Sequence, residues 1–142
     1  MEEKTIKLRK TRFIDDYAHH PTEIKSTLEA VRTANPKAKI LCIFQPHQFS
    51  RTKSFLKEFA KSFNHANQVI IPNIYQVRDT AADLKGLSTD ILVKEISKHH
   101  KSATNGQGLE NTAEYIKSHH KNFDIIITMG AGDITKIYKL LN

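Results

Sequence analysis

The sequence predicts a three-layer α/β domain, a mostly parallel sheet with helices on both faces. Three observations predict it. Short apolar, β-rich runs recur at 12–15 (RFID), 39–44 (KILCIF), 68–74 (QVIIPNI) and 124–129 (DIIITM). Segments with helical spacing lie between them. The runs are continuously apolar, as in parallel strands buried on both faces. The 142 residues suit one domain, 1–142, with no linker or low-complexity tract.

Taken in order, TIKL (5–8) is a candidate edge strand ahead of RFID, with antiparallel pairing one option. In 21–34, Ile24, Leu28 and Val31 fall on one helical face, and Pro21 suits the first turn. In 51–63, Phe55, Phe59 and Phe63 recur every four residues. In 88–100, Leu92 and Ile96 do the same, with Ser88 or Thr89 as N-cap. Residues 102–105 are a candidate short strand. In 109–120, Leu109, Ala113 and Ile116 form a stripe, and in 133–141 Ile134, Ile137, Tyr138 and Leu141 form the last. Asp133 is placed to cap that helix.

Composition excludes several classes. No apolar stretch reaches the roughly 18 residues that span a membrane, and MEEKTIKLRK has no apolar core of a secretory signal. The single Cys42 sits inside KILCIF and reads as a buried structural thiol, which fits a reducing, cytoplasmic compartment. The formal charge of +7 invites an anionic partner. Its lysines are scattered and few aromatics interleave with them, so a phosphate-bearing small molecule fits better than a polynucleotide. The histidine doublets in KHHKS (98–102) and SHHKN (118–122) follow helical patterns. Neighbouring histidines point different ways on a helix, and no acidic or cysteine partner stands at ligand spacing, so no metal site is expected.

Ligands of open α/β sheets bind outside the carboxyl ends of the strands. Four polar clusters stand there: Asp15-Asp16-Tyr17-Ala18-His19-His20, Gln45-Pro46-His47-Gln48-Phe49-Ser50-Arg51-Thr52, Tyr75-Gln76-Val77-Arg78-Asp79, and Gly130-Ala131-Gly132-Asp133. Each has an inert alternative. Asp15 and Asp16 could be solvated turn residues, His19 or His20 a helix cap, and GAGD only a tight turn. Their shared rim is more telling. Arginine and histidine can hold a carboxylate or phosphate, and aspartates can hold ribose hydroxyls, a metal ion or an ammonium group. The chain contains no G-x-x-x-x-G-K-[ST] loop and no strand followed by G-x-G-x-x-G. The rim therefore reads as one wall of a site whose other wall lies elsewhere.

DDYAHHPTEI (15–24), followed by a helix and FQPHQFSRT (44–52), resembles the C-terminal domain of the Mur ligases, which build the bacterial peptidoglycan precursor. IYQVRDT (74–80) and IITMGAGDI (126–134) extend the resemblance from about Arg12 onward. It implies a Rossmann-like domain that binds the incoming amino acid and closes over ATP and Mg2+ held by the enzyme's other parts. UDP-sugar and ATP-binding domains are absent from this chain, so the isolated domain is expected to be inactive and to bind no cofactor alone. The alanine-adding branch, whose substrates are UDP-N-acetylmuramate, L-alanine and ATP, is the nearer match, with the murein-tripeptide-recycling branch as the alternative. Carried over, Asp15, Asp16 and Tyr17 lie near the nucleotide or the closing interface. Asp16 and His19 serve the reaction centre. His47 and Arg51 bind the amino-acid carboxylate, with Tyr17 and His20 beside the substrate. Gly130, Gly132 and Asp133 shape the rim. The family's second motif reads closer to QPHRYTR; Gln48 here replaces its first arginine and Phe49 its tyrosine, which bears on amino-acid selectivity. A non-catalytic nucleotide- or phosphate-binding module, using the GAGD turn, is the rival of a different class.

Overall fold

The computed structural model describes residues 1–4 and 10–142, so the candidate strand at 5–8 lies outside the described residues. Among the described residues the sheet has six strands: β1 Glu2–Lys4, β2 Arg12–Asp16, β3 Ile40–Phe44, β4 Gln68–Ile71, β5 Ala103–Asn105 and β6 Ile125–Met129. Their order is β1-β2-β6-β3-β4-β5. Every pairing is parallel except β1 with β2, an antiparallel edge. The predicted mostly parallel three-layer fold is thus observed, and the candidate strand at 102–105 appears as β5.

Strand side chains alternate between two cores, as the two-residue repeat requires. Ile14, Cys42, Phe44, Val69, Ile71, Ile127 and Met129 face helices α1 (Pro21–Ala34), α3 (Leu56–Ala60) and α5 (Thr89–Ser97). Phe13, Leu41, Ile43, Ile70 and Ile126 face α6 (Leu109–His119) and α7 (Lys136–Leu141). β3 and β6 are buried at every residue, which explains their unbroken apolar runs. Cys42 is fully buried among them, and burial raises its thiol pKa far above the usual value.

Several boundaries differ from the sequence reading. The run 68–74 pairs as a strand only to Ile71, because Pro72 has no N–H to continue the ladder. The helix expected at 51–63 is broken at Phe55 into α2 (Phe49–Ser54) and α3. The break lets the Phe55 ring meet His20 edge-on at 5.1 Å, while Phe59 and Phe63 pack on Phe44 at 5.5 and 5.7 Å. The helix expected at 88–100 ends at Ser97, and its cap is Ser88, whose Oγ accepts from Ile91 N. The helix of 109–120 ends at His119 in a 3-10 turn. A short helix, α4 (Ala81–Leu84), was not expected; Thr80 and Asp83 form its capping box. The last helix starts at Lys136, and Asp133 does not cap it with its side chain. Its Oδ1 accepts from Gln45 Nε2 instead, at 2.7 Å.

Candidate functional site

The exit of β2 builds the first part of the rim. Strand alternation puts Asp15 and Asp16 on opposite faces. Asp15 Oδ1 accepts from Thr128 Oγ1 at 2.7 Å, and Thr128 shares a hydrogen bond with the buried Tyr138 hydroxyl. Asp16 Oδ1 accepts from Ala18 N at 3.0 Å and turns the chain. Tyr17 is 70% exposed and leads into a shallow groove lined by Asp16, Ala18, Thr22, Glu23, Ser26 and Thr27.

The two histidines divide their work. His20 is the N-cap of α1, its Nδ1 accepting from Thr22 N, with Pro21 at the first helical position. Glu23 closes the capping box by accepting from His20 N at 3.0 Å and His19 N at 3.3 Å. Those two N–H groups, His20's first, hold the Glu23 carboxyl below its usual range. His19 Nδ1 meets the Tyr17 carbonyl at 3.0 Å. A carbonyl only accepts, so the proton sits on Nδ1. In that arrangement Nε2 has no hydrogen-bond partner among the described residues.

The exits of β3 and β4 are stitched together past their strands. Gln48 N donates to Tyr75 O at 2.7 Å, and Tyr75 N donates to Pro46 O at 2.8 Å. The His47 and Tyr75 rings stack, centroids 5.4 Å apart. Asp79 caps α2 from 30 residues away in the chain, accepting from Phe49 N at 2.9 Å and Ser50 N at 3.1 Å. Burial opposes its ionised form, but the backbone N–H groups of Phe49, Ser50 and Val77 outweigh that and lower its pKa. With Asp79 so engaged, neither Arg51 nor Arg78 has a carboxylate partner within salt-bridge distance among the described residues. Gln48 and Arg78 both take positive φ, 78° and 51°. Such strain in non-glycine residues gathers at functional sites.

His47 Nδ1 is buried without a hydrogen-bond partner among the described residues. Burial lowers its pKa first, and the charges of Arg51, His19 and Arg78 lower it further, against a smaller opposing pull from Asp79. These effects favour the neutral form of His47. Its ring protons should titrate below the ordinary value of 6.5 in an NMR pH series. Above that pH both folded and unfolded states hold it neutral. Below it the unfolded chain takes the proton first, so this group increasingly disfavours the folded state as the pH is lowered. A midpoint above 6.5 would contradict this environment.

The exit of β6 closes the rim. Gly130 takes φ 150°, and its N–H donates to Asp16 O at 3.2 Å. Gln45 Nε2 reaches both Asn73 Oδ1 and Asp133 Oδ1. The strand exits thus place Asp16, Tyr17, His19, His47, Arg51, Gly130, Gly132 and Asp133 along the carboxyl edge of the sheet. It turns Asp15 to the other sheet face and ties His20 into the helix cap. Gln45, Tyr75, Arg78 and Asp79 stood out in the sequence only as members of polar clusters, with no role attached, and Asn73 did not stand out at all. The signal for them was position, directly after the second and third apolar runs or at the end of the third.

Asp15, Asp16, Asp79 and Asp133 each accept from protein N–H or O–H groups, and no group of three or more metal-ligating side chains stands among the described residues. The histidine doublets are elsewhere. His100 hydrogen-bonds Ala66 O and Ser102 N beside the start of β4, and His120 is buried. Among the described residues, no helix is long and apolar enough to cross a membrane.

Comparison with known proteins adds to this geometry. The family model described as "Mur ligase, glutamate ligase domain" matches residues 1–132. The UDP-N-acetylmuramate–L-alanine ligase of Alkaliphilus metalliredigens (strain QYMF) is 45% identical over 128 residues, 90% of this chain and 27% of that protein. The ligase of the same name from Acetivibrio thermocellus is 43% identical over 124 residues, 87% of this chain and 26% of that protein. A murein peptide ligase of Psychrobacter arcticus 273-4 matches with TM-score 0.74 and 21% identity, over 99% of this chain and 28% of that one; it speaks to the fold. The chain spans about a quarter of the length of the curated relatives it matches. The motif order, the six-stranded sheet and the match over residues 1–132 agree, and this chain belongs to the Mur ligase family as the domain that the family model describes.

Proposed function

We propose that this chain is the amino-acid-binding, C-terminal domain of an ATP-dependent UDP-N-acetylmuramate–L-alanine ligase acting in peptidoglycan precursor synthesis. The observation that carries the reading is the pairing of Arg51, which has no carboxylate partner among the described residues, with the neutral His47 on one rim. A guanidinium suits a carboxylate through its two-pronged hydrogen bonding. With Nδ1 buried, His47 has Nε2 left to donate. Relatives carrying the alanine-ligase name at 43–45% identity favour the alanine-adding branch over the recycling one.

In this mechanism ATP phosphorylates the muramate carboxylate on the other domains, where Mg2+ would screen the phosphates. Arg51 and His47 hold the carboxylate of L-alanine. His19 faces the amine and accepts its proton at Nε2. The amine attacks the acyl carbon, the C–O bond to phosphate breaks, and an amide forms with release of ADP and phosphate. Asp16 and the exposed Tyr17 lie where the domain closes over the nucleotide, and closure excludes water from the acyl phosphate. Asp15 supports them through Thr128, and His20 by holding the start of α1.

In the ligase that contains this domain, His19→Ala should lower kcat about ten- to hundred-fold, with the domain still folded by circular dichroism. Release of phosphate from ATP and UDP-N-acetylmuramate should require L-alanine. Wild-type turnover in the variant would remove His19 from the site, and release independent of L-alanine would overturn the reading.

A further inference from the structure

Gln45 is fully buried at the end of β3 and cannot touch a substrate. Both hydrogens of its amide are engaged, one by Asn73 Oδ1 at 3.0 Å and one by Asp133 Oδ1 at 2.7 Å. Its backbone N–H donates to Met129 O at 3.0 Å. One side chain therefore ties the exits of β3, β4 and β6 to each other. The fit around it is close. A Cβ on Gly130 would lie 2.8 Å from Gln45 O, and one on Gly132 would lie 2.8 Å from Gln45 Oε1 and 2.6 Å from the Tyr75 ring. Tyr75 stacks on His47, two residues beyond Gln45.

We propose that Gln45 is a positioning residue: by clamping the three exit loops it sets where His47 and Arg51 stand, and so sets affinity for the carboxylate of the incoming amino acid. The proposal rests on the amino-acid-binding reading above. The clamp needs a neutral donor. A glutamate at position 45 would face the Asp133 carboxylate, whose other oxygen already has Lys136 Nζ at 3.4 Å.

The test is a hydrogen-bond swap in the ligase that contains this domain. Gln45→Glu should raise KM for L-alanine at least about tenfold, with KM for ATP and UDP-N-acetylmuramate unchanged. Adding Asp133→Asn restores a complementary pair, since the amide introduced at position 133 donates to the new carboxylate while Asn73 turns its own amide to donate to the other oxygen. The double variant should return KM for L-alanine to within about threefold of the parent. If Gln45→Glu fails to fold, Gln45→Met takes its place, keeping volume without hydrogen bonds. A merely structural Gln45 would lower Tm and leave KM for L-alanine at the parent value. That result, or a swap variant as impaired as Gln45→Glu, overturns the proposal. Arg51→Ala in the same assay separates the two ideas. An unmoved KM for L-alanine there sinks the amino-acid reading. A moved one, with an unmoved value in Gln45→Glu, sinks this inference alone.

Discussion

On the proposed reading, Arg51→Ala is expected to raise KM for L-alanine about ten- to hundred-fold in the ligase that contains this domain and to leave KM for UDP-N-acetylmuramate where it was. The expected size follows from one charge-assisted hydrogen-bonded contact, about 1.5–3 kcal/mol, at about 1.4 kcal/mol per tenfold. Arg51 lies in α2, whose start is pinned by Asp79 from the β4 exit. The side chain has no carboxylate partner of its own among the described residues, so its removal should not lower Tm. A second readout is available in the domain by itself. Arg51 is among the charges that depress His47, so the alanine variant should move the His47 titration upward. Arg51→Lys should recover affinity only in part, because lysine keeps the charge and loses the planar fork. Unchanged alanine kinetics in Arg51→Ala would remove Arg51 from the substrate site.

Gly106→Ala destabilises the domain by about 2–3 kcal/mol, the scale of an overpacked core site. Gly106 follows β5, and its N–H donates to Ile71 O at 2.8 Å, carrying the pairing with β4 one step beyond the strands. A Cβ there would collide with Thr112 Oγ1 and lie 2.8 Å from Ile70 Cγ2 and 3.2 Å from Pro72 Cα. Thr112 is fully buried, and its hydroxyl donates to Gly108 O at 2.7 Å, so it has no free space to turn into. Thermal denaturation should show Tm falling by about 5–12 °C. Thr112→Ala in the same chain removes one of the three contacts and should restore part of the loss. An unchanged Tm in Gly106→Ala would show that the loop relaxes freely.

Much of the architecture was legible because it is written in short-range periodicity. The runs KILCIF and DIIITM became the two fully buried central strands, and Ile24, Leu28 and Val31 became the buried face of α1. Pro21 and Ser88 started their helices where local capping rules put them. The failures also have physical causes. Phe55 shares the four-residue spacing of Phe59 and Phe63, yet the helix breaks there and its ring meets His20. Asp133 has the identity and position of a cap, yet a buried amide from the β3 exit takes its carboxylate. Asp15 and Asp16 read as one acidic pair, although strand alternation already required them to face opposite ways.

By itself, the sequence determined the fold class, the alternation of strands and helices, and the four polar clusters at strand ends. Those follow from interactions within a few residues. Which clusters act together was decided only by the tertiary structure. The order β2-β6-β3-β4 brings Asp16 beside Gly130, Gln45 beside Asp133 and Asn73, and Asp79 onto the first N–H groups of α2. Each contact joins segments far apart in the chain, and it exists because particular strands pair in a particular register, a choice that no local spacing records.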